Sequence, residues 1–277
     1  MPKSRLGDSA PVRSNDDVPA DLWEECPRCK QFLYREDIRP LRVCDKCGYH
    51  FRLSVQERLA VTLEEGTFEP WGEEIEARDP LSFPEYAGKL VQHRERSGAS
   101  EAILVGRGRL EGSDVAIGVM NLAFIGGSMG VVVGERVALL MERAAELSLP
   151  VIVFCASGGA RMQESIISLM QMPKTCAAAG RLGQAGMLYV SVLTDPTYGG
   201  VTASYAFLGD VVVAEPSAAM GFAGPRVIEV TRLRIQPGVQ TAEFQYEHGM
   251  VDLLVPRSQM RATLAGLIRW ARGVGEP

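Results

Sequence analysis

Two kinds of pattern in this sequence could do chemistry. Cys26-Pro-Arg-Cys29 and Cys44-Asp-Lys-Cys47 are C-x2-C knuckles separated by fourteen residues, with Gly48 placed for the tight turn after the second. Four thiolates at that spacing converge on a tetrahedron, the geometry of structural zinc, and leave no open position for a catalytic water. The second pattern is glycine. Gly126-Gly127, Ser157-Gly158-Gly159-Ala160-Arg161 and Gly199-Gly200 each follow an apolar run. The first amides of a helix lack internal partners and lie at the positive end of its dipole, so Gly199-Gly200 ahead of VTASYAFLG is a candidate anion cradle. Aimed at a carbonyl about to become an enolate, such amides form an oxyanion hole. The plainer alternative is a tight packing turn.

Other residues compete for a role. Gly126-Gly127-Ser128-Met129-Gly130 fits G-x-S-x-G, and Asp195 or Asp210 with His248 could complete a hydrolase triad in chain order. Against this, five residues in a glycine-rich chain match that pattern easily, and the other glycine turns would then have no task. None of the glycine stretches spells G-x-G-x-x-G or a P-loop with its lysine, which argues against dinucleotide and direct ATP binding. Arg161 and Arg226 follow glycine turns; each could face a phosphate or pair with an acid such as Glu164 or Glu229. Met162, Met170 and Met172 read as core fillers or a flexible wall. His50 reads as a surface histidine and His93 as solvent-exposed on a charged helix.

Positioning these residues requires a sizeable core, and 277 residues with 46% hydrophobic and 23% charged residues supply it. A net charge of −5 argues against a dedicated nucleic-acid binder. Charges interrupt the apolar stretch from Gly130 to Cys155, so no membrane span is expected. Four cysteines in knuckles and two alone, Cys155 and Cys176, suit a reduced, cytoplasmic protein with one metal site and two buried thiols. The expected order is a disordered tail over 1–22, a zinc ribbon over 23–53 and a larger domain over 54–277. The ribbon carries a small basic excess with Phe32, Tyr34, Tyr49 and Phe51, so nucleic-acid contact stands beside the plainer reading of a solvated face.

Within the large domain VQERLAVTLEEG and FPEYAGKLVQHRERSG read as helices, the first stopping at Gly66. AILVGRGRL and DVAIGVMNL read as a hairpin around Glu111-Gly112-Ser113. Thereafter one plan recurs: strand, glycine turn, helix. A helix runs to about Leu149 with Val133, Val137, Leu140, Met141 and Ala144 on one stripe. Val151–Phe154 is a strand, followed by a helix carrying Met162, Ile166, Leu169, Met170 and Pro173. The strand Leu188–Leu193 is expected to stop at Asp195-Pro196, and Val211–Ala214 begins a fourth unit. The repetition predicts an α/β fold of layered, mostly parallel strands with helices outside and glycine turns lining one face.

From Trp23 to about Arg261 the chain resembles the β subunit of the bacterial acetyl-coenzyme A carboxylase carboxyltransferase. The resemblance rests on CPRC with CDKCGYH, GGSMG, SGGARMQES, LMQMPKT, SVLTDPTYGGVTASYA, AEPSAAMGFAGPRVIE and EHGMVD. It implies a crotonase-like (ClpP/crotonase) layered superhelix with an N-terminal zinc ribbon. It also implies transfer of a carboxyl group from carboxybiotin to acetyl-CoA, giving malonyl-CoA for fatty acid synthesis. Biotin would arrive on the biotin carboxyl carrier protein, charged by biotin carboxylase with ATP. An α subunit would complete the site in an α2β2 assembly. By motif position, Gly199 and Gly200 would hold the thioester enolate. Gly126, Gly127 and Ser157, Gly158, Gly159, Ala160 and Arg161 would line the CoA channel, and Cys26, Cys29, Cys44 and Cys47 would hold Zn2+.

The chain departs from the family pattern at Met120-Asn121-Leu122, at Val131, and in VTRLRIQPGVQTAEF. Sequence drift accounts for such changes, and a specialised or inhibitor-resistant paralogue is the alternative.

Overall fold

The computed structural model describes residues 22–232 and 234–273, with nothing said of the Pro225 and Arg226 side chains. The tail expected over 1–22 therefore lies outside the described residues up to position 21, as does the Arg226 side chain on which the phosphate-or-acid question turned. Two compact units divide at Tyr49 and His50.

The first unit is small and built on a hairpin. Strands β1 (Trp23–Glu25) and β2 (Phe32–Tyr34) pair antiparallel, Trp23 opposite Tyr34. Leu33 and Ile38 are its buried aliphatics, with Cys26 and Cys44. So short an apolar inventory cannot hold a fold by burial alone.

The second unit begins with α1 (Val55–Thr62), whose start is fixed by a capping box: Ser54 Oγ accepts from Glu57 N, and Glu57 Oε2 accepts from Ser54 N. The helix ends at Thr62, one turn before the expected Gly66 stop, which instead lies in the turn leading to a strand not foreseen, β3 (Glu69–Trp71). Helix α2 (Tyr86–Ser97) follows and ends on the left-handed Gly98. The predicted hairpin is present as β4 (Ile103–Leu110) and β5 (Ser113–Met120), paired antiparallel from Ile103–Met120 to Leu110–Ser113. Helix α3 (Val131–Leu147) buries its whole expected stripe.

Strand β6 (Val151–Ser157) is buried apart from the half-buried Ala156, and its alternation serves two cores. Val151, Val153 and Cys155 face the core under α3, whereas Ile152 and Phe154 face a second core. The helix expected next is broken into a 3-10 turn, α4 (Ser165–Leu169) and α5 (Gln171–Gln184). Pro173 sits in the first turn of α5, where its missing N–H costs no helix bond. The break reorients the methionines: Met172 packs against the core, but Met162 and Met170 are exposed and fill nothing.

Strand β7 (Tyr189–Tyr198) does not stop at Asp195-Pro196 as expected. It pairs parallel with β6 and with β8 (Val211–Ala214) up to Leu193, then shifts register and continues at Thr197–Tyr198 beside β9 (Met220–Gly221). The proline falls in the shift, where no ladder donor is needed. Thr194 and Thr197 both donate to the Cys155 carbonyl, at 2.8 and 3.0 Å, and so bind the two halves of the strand to β6. After β7 come one helical turn, α6 (Gly199–Thr202), then α7 (Pro225–Thr231), α8 (Ala242–Glu247), β10 (Leu253–Leu254) and α9 (Arg257–Ala271). The sheet runs β10-β8-β7-β6-β5-β4-β3, parallel from β10 to β5 and antiparallel beyond, with β9 on β7. Helices α3 and α5 cover one face and α1 and α9 the other, the layered α/β arrangement expected from the repeats.

Candidate active site and metal centre

The three glycine turns meet. The first, after β5, runs left-handed through Ile125, Gly126 and Gly127, with φ of 42°, 62° and 67°. A β-carbon on Gly127 would lie 2.2 Å from the Ala156 carbonyl oxygen, so this position admits only glycine. The second turn is bonded to it at four points. Gly158 N donates to Gly126 O at 2.9 Å, Ser157 Oγ to Gly127 O at 2.6 Å, Met129 N to Gly159 O at 2.8 Å, and Arg161 N to Met129 O at 2.9 Å. The third turn packs on the second: Gly199 has φ 62°, and a β-carbon there would lie 3.0 Å from Gly159 Cα. At Gly200 the nearest atoms would be Ala160 Cβ at 3.3 Å and the ends of Met129 and Met172 at 3.4 Å.

Helix α6 is shorter than expected because its own side chains compete for the backbone. Thr202 Oγ1 donates to Thr197 O at 3.1 Å and Ser204 Oγ to Gly200 O at 2.6 Å, and Ser204 leaves helical geometry. A 3-10 turn over Tyr205–Phe207 replaces the longer helix.

Beneath the turns lies a buried network. Arg161 is fully buried; its Nη1 and Nη2 grip Glu101 at 2.8 and 2.5 Å, its Nε reaches Ser128 Oγ at 3.1 Å, and Nη2 also donates to Ser128 O. Burial works against this guanidinium's charge, but Glu101 outweighs it and raises the pKa above an already high value. Tyr86 OH donates to Glu164 Oε1 at 2.6 Å, and Glu164 Oε2 accepts from Val131 N at 2.6 Å, the first amide of α3. Burial pushes the Tyr86 phenol above its usual range. Of the two readings of Arg161, the pairing with an acid is the one seen, and what this position offers a ligand is backbone. Glu101 and Tyr86 carried no sequence signal, because they lie 60 and 75 residues from Arg161.

The hydrolase constellation does not assemble among the described residues. Ser128 faces Arg161; Asp195 accepts from Ala219 N and Arg52; Asp210 accepts from Tyr189 N; exposed His248 stacks on Phe244 at 3.8 Å. Cys155 is no nucleophile, since burial pushes its thiol up to about 12. His93 is half-buried rather than free in solvent, its Nδ1 3.4 Å from Ile125 N. His50 is not a surface residue: its side chain is 8% exposed and faces Glu215. What the turns present is backbone amide and small side chains, a surface suited to binding and polarising a carbonyl compound without a side-chain base.

The candidate metal centre belongs to the first unit. The four Sγ atoms of Cys26, Cys29, Cys44 and Cys47 lie within 4.8 Å of one another. Cys26–Cys47 and Cys29–Cys44 are 3.6 and 3.8 Å apart. A tetrahedral zinc with Zn–S of about 2.3 Å requires edges of roughly 3.8 Å, so the donor set fits the ion. Lys30 N and Gly48 N close the two knuckles on Cys26 O and Cys44 O, both residues left-handed. The ribbon's cations are largely engaged: Arg42 forks onto Glu24 at 2.7 and 3.0 Å, and Lys30, Arg35, Arg39 and Lys46 pair with acids. That pairing favours the solvated face over a nucleic-acid surface.

Residues 52–264 match the family described as the carboxyl transferase domain. The chain is 52% identical over 254 residues to the acetyl-coenzyme A carboxylase carboxyl transferase subunit beta of Desulforamulus reducens, covering 91% of this chain and 88% of that one. It superposes on the transcarboxylase 12S hexamer, solved with methylmalonyl-coenzyme A and methylmalonic acid bound, with TM-score 0.66, 24% identity and coverage of 78% of this chain and 41% of that one. A Pseudomonas malonate decarboxylase MdcD-MdcE heterodimer gives TM-score 0.61 at 24% identity, covering 78% of this chain and 86% of that one.

Proposed function

The chain belongs to the carboxyl transferase domain family, and from that premise we propose that it is the acyl-CoA half of an acetyl-CoA carboxylase carboxyltransferase. In this reading it moves a carboxyl group from biotin to acetyl-CoA, forming malonyl-CoA on the way to fatty acids. The observation that carries the proposal is the convergence of three glycine turns with no free side-chain base or nucleophile among them.

Carboxybiotin, when docked, supplies the carboxyl group and the base that takes the methyl proton. The protein's share is then placement and charge stabilisation. The amides of Gly199 and Gly200 would hold the thioester oxygen as it gains enolate charge. Gly126, Gly127, Ser157, Gly158, Gly159 and Ala160 would line the pantetheine path, and Arg161 would fix the turns from below. Cys26, Cys29, Cys44 and Cys47 would hold one structural Zn2+.

A second subunit is part of this reading. Met162, Ile166 and Met170 beside α4, and Phe222 and Val230 around α7, are all more than half exposed. Apolar side chains so placed suit a partner that completes the site. We assign that role to an α subunit in an α2β2 assembly, with the biotin carboxyl carrier protein and biotin carboxylase as further components. No helix among the described residues is long and apolar enough to cross a membrane, and the proposed compartment is the cytoplasm.

The test is a coupled assay in the reverse direction with malonyl-CoA and a biotin derivative, using the chain alone and mixed with a bacterial α subunit. Turnover is expected only in the mixture. A stable, zinc-loaded complex that forms no acetyl-CoA would overturn the assignment.

A further inference from the structure

Helix α2 reaches two of the three glycine turns with one face. Tyr86, Leu90 and His93 stand at i, i+4 and i+7, the spacing that aligns side chains along a helix. At one end Tyr86, wholly buried, donates to Glu164 at 2.6 Å and accepts from Arg161 at 3.2 Å. Arg161 closes the second turn, and Glu164 follows it by three residues. In the middle Leu90 is buried in the core. At the other end His93 Nδ1 accepts from the backbone amide of Ile125, where the first turn begins, at 3.4 Å. The imidazole lies tilted beside Phe124, with ring centroids 6.0 Å apart.

Ile125 is the residue of that turn most in need of support. It is β-branched and held at φ 42°, an outlier that persists only where the surroundings over-determine it. Gly126 and Gly127 take left-handed geometry without that penalty. The helix is itself anchored: Arg94 Nη2 donates to Ala77 O at 2.7 Å, and the left-handed Gly98 closes the last turn on Arg94 O. A helix bonded to the second turn at one end and to the strained residue of the first at the other fixes the distance between them.

We propose that the Tyr86–Leu90–His93 face of α2 is a strut that sets the spacing of the first two glycine turns. His93 is its positioning residue at the first turn, acting as an acceptor through an Nδ1 that carries no proton. What the positioned turns bind, acyl-CoA, rests on the carboxyltransferase reading; the strut itself does not.

Two substitutions separate the acceptor from the helix that carries it. His93→Leu removes the acceptor, whereas His93→Asn keeps an amide oxygen at the reach of Nδ1. Leucine is the better helix former, so a role confined to helix stability would make His93→Asn the worse variant. The strut requires the reverse order. In the zinc-loaded full chain, amide hydrogen exchange over 124–128 is expected to quicken about threefold or more in His93→Leu and to return toward wild type in His93→Asn. With a bacterial α subunit added, the KM for malonyl-CoA is expected to rise about three- to tenfold in His93→Leu, with kcat within about twofold, and to recover in His93→Asn. Wild-type exchange or an unchanged KM in His93→Leu, or a variant order that follows helix propensity, overturns the proposal. Should the wild-type mixture itself show no turnover, the carboxyltransferase reading falls and the exchange rates alone decide the strut.

Discussion

Gly199 and Gly159 meet backbone to backbone: a β-carbon on Gly199 would stand 3.0 Å from Gly159 Cα, with the peptide held at φ 62°. Two turns that follow different strands are thereby locked into one surface, and each glycine there has a distinct tolerance.

Gly199→Ala introduces both left-handed strain and a contact with immovable backbone, whereas at Gly200 the nearest neighbours are side-chain atoms, two of them movable methionine ends. Gly200→Ala is expected to fold with little loss. Gly199→Ala and Gly200→Val are expected to lower transfer by about a hundredfold to a thousandfold, the usual cost of one misplaced oxyanion donor, with zinc content and far-UV spectrum unchanged. Near-normal turnover in Gly200→Val would sink the proposed role.

Glu101 and Arg161 form a fully buried pair under the same surface. Glu101→Gln leaves the guanidinium without its counter-charge and is expected to destabilise the protein by about 3–5 kcal/mol in urea unfolding. A loss below about 1 kcal/mol would mean that Glu164 and Ser128 suffice to hold Arg161.

Glu215 makes a pH-dependent contribution whose sign is fixed by its neighbours. Burial alone would raise its pKa, but Arg58, His50 and Arg257 outweigh that and hold the carboxyl well below the usual carboxylate range. Its folded pKa is therefore below the unfolded value of about 4.3. The stabilisation is complete above that unfolded value and is lost as pH falls through the folded one. Urea midpoints of wild type and Glu215→Gln should differ by a constant amount from pH 7 to pH 5, and the gap should close only under stronger acid. A gap that vanishes by pH 5 contradicts the assignment.

Five of the six cysteines should separate into two classes on chelation; the sixth, Cys176, is half-buried and not the buried thiol expected from its apolar surroundings. Metal ligands must be thiolates, and a unit with so few buried aliphatics depends on the ion. Removing zinc is expected to expose four thiols, mapped by alkylation to Cys26, Cys29, Cys44 and Cys47. Cys155, whose thiol burial pushes up to about 12, should stay unlabelled at pH 8 until the larger unit unfolds. Early labelling of Cys155, or no new thiols after chelation, would count against this division.

Local spacing determined much of this protein. Two C-x2-C knuckles need only a tight turn each to aim four thiolates at one point, so the metal site is legible without any long-range information. The recurring strand, glycine turn and helix likewise follow from short periodicities, and they gave the layered α/β class, the hairpin and the stripe of α3. Tertiary structure decided what depends on partners remote in the chain. Arg161 could not be assigned until the sheet brought Glu101 beside it, and His50 is buried because β8 delivers Glu215 to meet it. The path of β7 past Asp195-Pro196 was set by a change of neighbouring strand, from β8 to β9. The length of α6 was set by two hydroxyls competing for carbonyls, and the exposure of Met162 and Met170 by a break that turned their segment away from the core. Composition and spacing specify the local conformation; which groups lose their water, and to which partners, is fixed only when distant strands take their register.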